Sequence, residues 1–161
     1  MNMDNLIVVG ISDMKISTDP DKILVTYSLG SCVGVTAYDP QAQVGGLIHC
    51  LLSRPGSVVL HEGESPYKFV SAGVPRMVKE LLRAGADRDR LIFKAAGGAD
   101  MRGDGAFDIG QKNIDELLEL MDRSQVKLAA SELGGVIPRT MFLHLDTGRV
   151  VIKTCGVSHD L

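Results

Sequence analysis

VTYSLGSCVGVTAYDPQAQVGGLIHC, residues 25–50, is the stretch on which the fold turns. It holds Val/Ile/Leu-rich runs, Val33–Tyr38 and Val44–Leu52, on either side of YDPQAQ. Asp39 followed by Pro40 favours a type I turn, so the two runs read as a hairpin. Closing it with Asp39 opposite Ala42 places Cys32 opposite His49, because antiparallel partners keep a constant sum of residue numbers. Their Cβ atoms would then lie about 5 Å apart. A slip of one residue would set Cys32 against Cys50 and send His49 to the other face. On the first strand Val33, Val35 and Ala37 point one way. Cys32, Gly34, Thr36 and Tyr38 point the other, a more polar and accessible face. Cys32 is therefore core filler, metal ligand or nucleophile, and the hairpin puts the nucleophile on a par with the filler. A nearby imidazole lowers a thiol pKa and later protonates a leaving group. A third group must hold the ring, and Thr26, ending the strand before the Gly-Ser-Cys turn, is the candidate.

The chain has 161 residues, 45% hydrophobic and 23% charged, as a single globular domain over residues 1–161 would have. Seventeen basic against twenty acidic residues give a net charge of −3. With no basic run, this argues against a nucleic-acid partner. The N-terminus MNMDNLIVVG lacks a basic, apolar leader and no run is long enough for a bilayer. The expectation is a cytoplasmic protein without membrane insertion, its three cysteines free thiols.

Outside the hairpin, strands are expected at Leu6–Ile11, Ile23–Ser28, Leu91–Ala96, Lys127–Ser131, Thr140–Leu145 and Val150–Thr154, the last two joined by DTG. Residues 54–64 read as a loop. SPYKFVSAGVPRMVKELLRAGA reads as a helix capped by Ser65, with Pro66 in its first turn and Gly85 at its exit. Pro75 should kink or restart it. NIDELLELMDRS is a second helix with Ile114, Leu117, Leu118 and Met121 on one face. The fold expected is α+β, a mixed and largely antiparallel sheet core, in one or two β layers, flanked by two main helices.

The motif TYSLGSCVGVTAYDP followed by GGLIH resembles the CheD family, the chemoreceptor glutamine deamidases. AAGGADM, IGQKN and ELGGVIPRTMFLHLDTGRVVIK continue the resemblance over nearly the whole chain, in the family's order. Pro75 and the EL before Gly134-Gly135 depart from its pattern. The resemblance implies a papain-like, toxin-deamidase-like cysteine hydrolase. It implies hydrolysis of selected glutamine side chains on methyl-accepting chemotaxis receptors to glutamate and ammonia, and a Cys-His-Thr triad falling on Cys32, His49 and Thr26. A CheC-type phosphatase is an implied partner. The route expected is sulfur attack on the glutamine Cδ and a thioester that water hydrolyses. The first candidate to hold the oxyanion is the Cys32 N–H, ahead of Ser31 or the Ser28 hydroxyl.

Gly97, Gly98 and Ala99 either let backbone approach this site or only turn the chain. No lysine follows at phosphate-loop spacing. No Cys-x-x-Cys or His-x-x-x-His marks a zinc site, and no cofactor is implied. His61-Glu62 read as solvated, His144 as structural, and His159 as part of a frayed tail. Asp115, Glu116, Glu119 and Asp122 read as a solvated helix face. The competing functions are a regulatory binding module with little turnover, and a methylesterase or transglutaminase using the same three residues.

Overall fold

The computed structural model describes residues 2–56, 63–105 and 108–161. In chain order, the described strands are β1 (Leu6–Val8), β2 (Asp13–Ser17), β3 (Ile23–Leu29), β4 (Val33–Asp39) and β5 (Val44–Cys50). Helix α1 (Val70–Arg83), β6 (Ile92–Gly97) and helix α2 (Ile109–Arg123) come next, then β7 (Leu128–Leu133), β8 (Arg139–His144), β9 (Val150–Thr154) and β10 (Val157–Asp160). They form two five-stranded sheets, ordered β1-β3-β8-β9-β10 and β2-β5-β4-β6-β7. Among the described strand pairs only β1/β3 and β6/β7 run parallel. The α+β architecture with two main helices is the one the sequence predicts, and of the one or two β layers it leaves open the structure has two.

The alternation of β4 and β5 decides how the layers stack. Val33, Val35 and Ile48 face α1 and α2, where they meet Val74, Met77, Leu81 and Leu117. Cys32, Tyr38 and Leu47 face the other sheet, against Leu24, Met141 and Leu143. The face expected to be polar and accessible is thus an interior layer. Two of its hydroxyls are satisfied inside: that of Tyr38 donates to Leu145 O at 2.9 Å and Thr36 Oγ1 to Lys94 O at 3.4 Å.

The hairpin exists, in another register. Asp39 pairs with Val44, and Gly34, not Cys32, stands opposite His49. The Asp39 carboxylate causes the shift: Oδ1 accepts from the N–H groups of Gln41 and Ala42 at 2.9 and 3.1 Å, and Gln43 adopts φ +52°. Ala42 is thereby drawn into a four-residue loop and cannot pair. The displacement is two residues, an even number, so His49 keeps its face and becomes a diagonal neighbour of Cys32, about 7 Å away between Cβ atoms.

Other differences have local causes. β2 escaped the reading because its apolar residues, Met14 and Ile16, are separated by Lys15 in a five-residue edge run. The first helical signal splits: Ser65 caps a 3-10 turn at Pro66–Lys68, Phe69 is extended and bridges to Leu52, and α1 begins at Val70. Pro75, exposed, sits within an uninterrupted α1. On α2 the buried stripe is Ile114, Leu117, Leu120 and Met121, whereas Leu118 is exposed, one residue too far round the helix. Glu116 is buried and ion-paired to Arg54 and Arg123, so it does not belong to the solvated acidic face. His159 lies not in a frayed tail but in β10, which Cys155 and Gly156, both at positive φ, fold back onto β9 in a tight hairpin. His61 and Glu62 fall outside the described residues.

No helix among the described residues is long and apolar enough to cross a membrane.

Candidate active site

Three elements converge on the interior layer. β3 supplies Thr26, the turn after β3 supplies Cys32, and β5 supplies His49. Thr26 and His49 belong to different sheets, and one hydrogen bond joins them across the layer, Thr26 Oγ1 to His49 Nδ1 at 2.6 Å. Thr26 Oγ1 also lies 2.8 Å from Val9 O. A hydroxyl has one proton. Since the Val9 carbonyl can only accept, that proton goes to it, and Thr26 must accept from Nδ1–H. The bare lone pair of the ring is then on Nε2, which is buried and has no hydrogen-bond partner among the described residues. This network sets the tautomer of a base.

His49 is 1% exposed and Cys32 7%. Burial lowers the imidazole to a pKa of about 4. It also raises the Cys32 thiol, an effect partly offset by the residue's own N–H. Both charged forms are disfavoured in the buried layer, so the resting pair is neutral thiol and neutral imidazole. The expectation of a thiol acidified by its histidine is therefore not met at rest: without a hydrogen bond on Nε2, desolvation dominates. Asp13, directly opposite His49 on β2, supplies no compensating charge. Its carboxylate is occupied by Met14 N at 2.7 Å and Lys15 Nζ at 2.8 Å.

A β-bulge after Thr26 aims the turn. Ser28 takes φ +56°, and the extra residue restores Leu29 to the interior opposite Arg139. Gly30 N then donates to Ser28 O at 2.9 Å. Ser28 is itself exposed and lines a shallow groove with Tyr27, Lys153 and Cys155. Ser31, half-buried, presents its carbonyl to Asn113 Nδ2 at 2.8 Å.

Gly97 and Gly98 lie against the same turn. Gly97 pairs with Val33 at φ +110°, and a Cβ on it would fall 2.2 Å from Cys32 O. Gly98 N donates to Cys32 O and Ala99 N to Gly30 O, both at 2.8 Å. A Cβ on Gly98 would strike Ile114 of α2 at 2.5 Å. The glycines thus bring β6 and α2 up against the cysteine turn, more than a mere change of chain direction requires.

Asn113 was not singled out as a site residue from the sequence. It is fully buried on α2, and its Nδ2 donates to Leu51 O at 3.1 Å as well as to Ser31 O. A buried polar residue inside an apolar helical stripe was the available signal.

The arrangement provides a thiol, a neutral base of fixed tautomer and a pinned backbone turn, the parts of nucleophilic acyl chemistry. The CheD family profile, described as chemotactic sensory transduction, matches residues 52–154. Three curated relatives carry the name probable chemoreceptor glutamine deamidase CheD. That of Symbiobacterium thermophilum is 40% identical, covering 97% of this chain and 96% of its own. That of Desulforamulus reducens is 42% identical over 93% and 91%, and that of Solibacter usitatus 38% over 96% and 92%. Among solved structures, the C-terminal domain of CNFy from Yersinia pseudotuberculosis aligns with a TM-score of 0.43 at 10% identity, covering 97% of this chain and 62% of that one. That likeness is too slight to bear on function.

Proposed function

We propose that this chain, which belongs to the CheD family, deamidates glutamine side chains of chemoreceptors, with Cys32 as nucleophile, His49 as base and Thr26 as the group that holds the base. The relatives' shared name supplies the substrate class. The observation that carries the assignment of residues is the Val9–Thr26–His49 hydrogen-bond chain, which leaves Nε2 as a bare acceptor on the face that Cys32 shares.

His49 Nε2 takes the Cys32 proton as sulfur bonds to the glutamine Cδ, and the carbonyl oxygen becomes an oxyanion. The imidazolium returns the proton to nitrogen, the C–N bond breaks, and ammonia departs from a thioester. Water, deprotonated by Nε2, attacks the thioester. The C–S bond breaks, the thiol is reprotonated, and glutamate is released. The oxyanion forms twice, and a preorganised donor lowers each barrier by about 3–4 kcal/mol. The Cys32 N–H, one residue ahead of β4, stands beside the reacting sulfur.

The narrow exposure of Cys32 favours one second reading, a binding module with little turnover. Incubation with receptor cytoplasmic helices separates the two. Ammonia release with a gain of about 1 Da at particular glutamines, absent in Cys32→Ala, is expected for amide hydrolysis. A folded Cys32→Ala protein with full activity would refute the role of Cys32. A native protein that binds the helices without releasing ammonia would support the module. Methanol release from methylated receptor would point to an esterase.

A further inference from the structure

Three successive carbonyls of the cysteine turn are held from outside. Ala99 N–H holds that of Gly30 and Gly98 N–H that of Cys32, both backbone donors. The carbonyl between them, Ser31, is held by a side chain, the Asn113 carboxamide. The Ser31 carbonyl and the Cys32 N–H belong to one peptide group. That group is planar and trans, so its N–H points opposite to its C=O. Asn113 lies on α2, on the helix side of β4, and draws the Ser31 oxygen toward itself. The Cys32 N–H is thereby turned the other way, toward the interior layer that holds the Cys32 thiol.

We propose that Asn113 is a positioning residue for the oxyanion hole: by holding the Ser31 carbonyl it fixes and polarises the Cys32 N–H that receives the oxyanion. The inference rests on the reading of Cys32 as nucleophile. A hydrogen bond accepted by a peptide oxygen makes the same peptide a stronger donor, so the effect is electronic as well as geometric. The second Asn113 donor holds Leu51 O, two residues beyond His49, so one carboxamide ties the nucleophile's turn to the base's strand. Its own acceptor is left over: Asn113 Oδ1 is buried with no partner among the described residues. An unsatisfied buried oxygen destabilises the fold. A residue chosen for packing alone would be apolar here, as its stripe neighbours Ile114 and Leu117 are.

The test compares the parent with Asn113→Leu, which keeps bulk and removes both donors. The expected result is a kcat reduced about 10–100-fold with KM little changed, somewhat less than direct loss of an oxyanion donor brings. A blocked peptide carrying glutamate γ-semialdehyde forms a hemithioacetal whose oxygen occupies the same hole, so its inhibition should weaken by the same factor. Alkylation of Cys32 by iodoacetamide needs no oxyanion and should stay within about twofold of the parent. An unchanged kcat in a folded variant overturns the proposal, and so does a parallel fall of alkylation, inhibition and Tm, the signature of general loosening. Should Asn113→Leu not fold, Asn113→Ala, which removes both donors without adding bulk, should show the same loss, an unchanged kcat again counting against the proposal. In the unaltered protein, semialdehyde binding should shift the NMR signals of the Cys32 N–H and the Asn113 carboxamide together, and an unmoved Asn113 signal would overturn the proposal without any variant. Failure of Cys32→Ala to abolish ammonia release would sink the underlying reading. Cys32-dependent activity indifferent to Asn113 would sink only this inference.

Discussion

The protonation of His49 links the site to stability in a way that can be measured. Burial holds the folded imidazole at a pKa of about 4, against 6.5 for the free group. Above pH 6.5 neither folded nor unfolded chain binds this proton. As pH falls below 6.5 the unfolded chain takes it up and the folded chain does not, so stability declines until about pH 4 and then levels off. The full difference corresponds to about 3 kcal/mol, of which about 2 kcal/mol is lost by pH 5. For a chain of this length that is a fall of about 6 °C in Tm. The assay is urea unfolding at pH 7.5 and pH 5, on the parent and on His49→Gln. Buried carboxylates and His144, which burial shifts in the same direction, contribute alike to both proteins and cancel. The parent should lose about 2 kcal/mol more than the variant between the two pH values. Equal losses, or an imidazole NMR titration near 6.5 in the folded parent, would refute the neutral buried base. The same property keeps Nε2 competent as a base at pH 5, so the acid limb of kcat/KM should lie well below that of an ordinary histidine.

Three further outcomes follow from the geometry. Thr26→Val leaves Val9 O and His49 Nδ1 unpaired in a buried layer, for about 1–3 kcal/mol and a Tm lower by about 3–9 °C, while Thr26→Ser should keep both bonds and most activity; thermal melts and ammonia assays check both. Gly97→Ala drives a methyl into Cys32 O and should abolish activity and lower Tm sharply. Gly85→Ala, at φ +108° but in open space, should cost only about 1 kcal/mol of backbone strain, so the pair separates clash from conformation in one set of melts. In iodoacetamide labelling followed by peptide mass mapping, exposed Cys155 should react first. Buried Cys50, its thiol pushed far up, should react only on unfolding, and Cys32 slowly, with a rate that falls in His49→Ala.

The hairpin was legible because its two runs alternate and its turn begins with Asp-Pro. Its register was not, since the Asp39 side chain competes with the backbone for the turn's N–H groups, and loop length follows from that contest. The placement of Cys32 and His49 on one face survived the error because strand side chains repeat every two residues. β10 was missed because its turn residues, Cys155 and Gly156, do not advertise the positive φ values they adopt. Glu116 read as solvated because its partner Arg54 is remote in sequence, and Asn113 read as an ordinary helix residue for the same reason: both of its acceptors are more than sixty residues away.

The α+β pattern, the shared face of thiol and imidazole, and the family are legible in the amino-acid order alone, since these depend on local periodicity and ordered short motifs. That this face is an interior layer and that burial favours a neutral resting pair emerge from the packed fold. It alone showed that Thr26 reaches His49 from the opposite sheet and that an amide on α2 holds the cysteine turn. Each of these depends on how two sheets and a helix stack, and stacking sets desolvation and long-range hydrogen bonds, which no window of neighbouring residues contains.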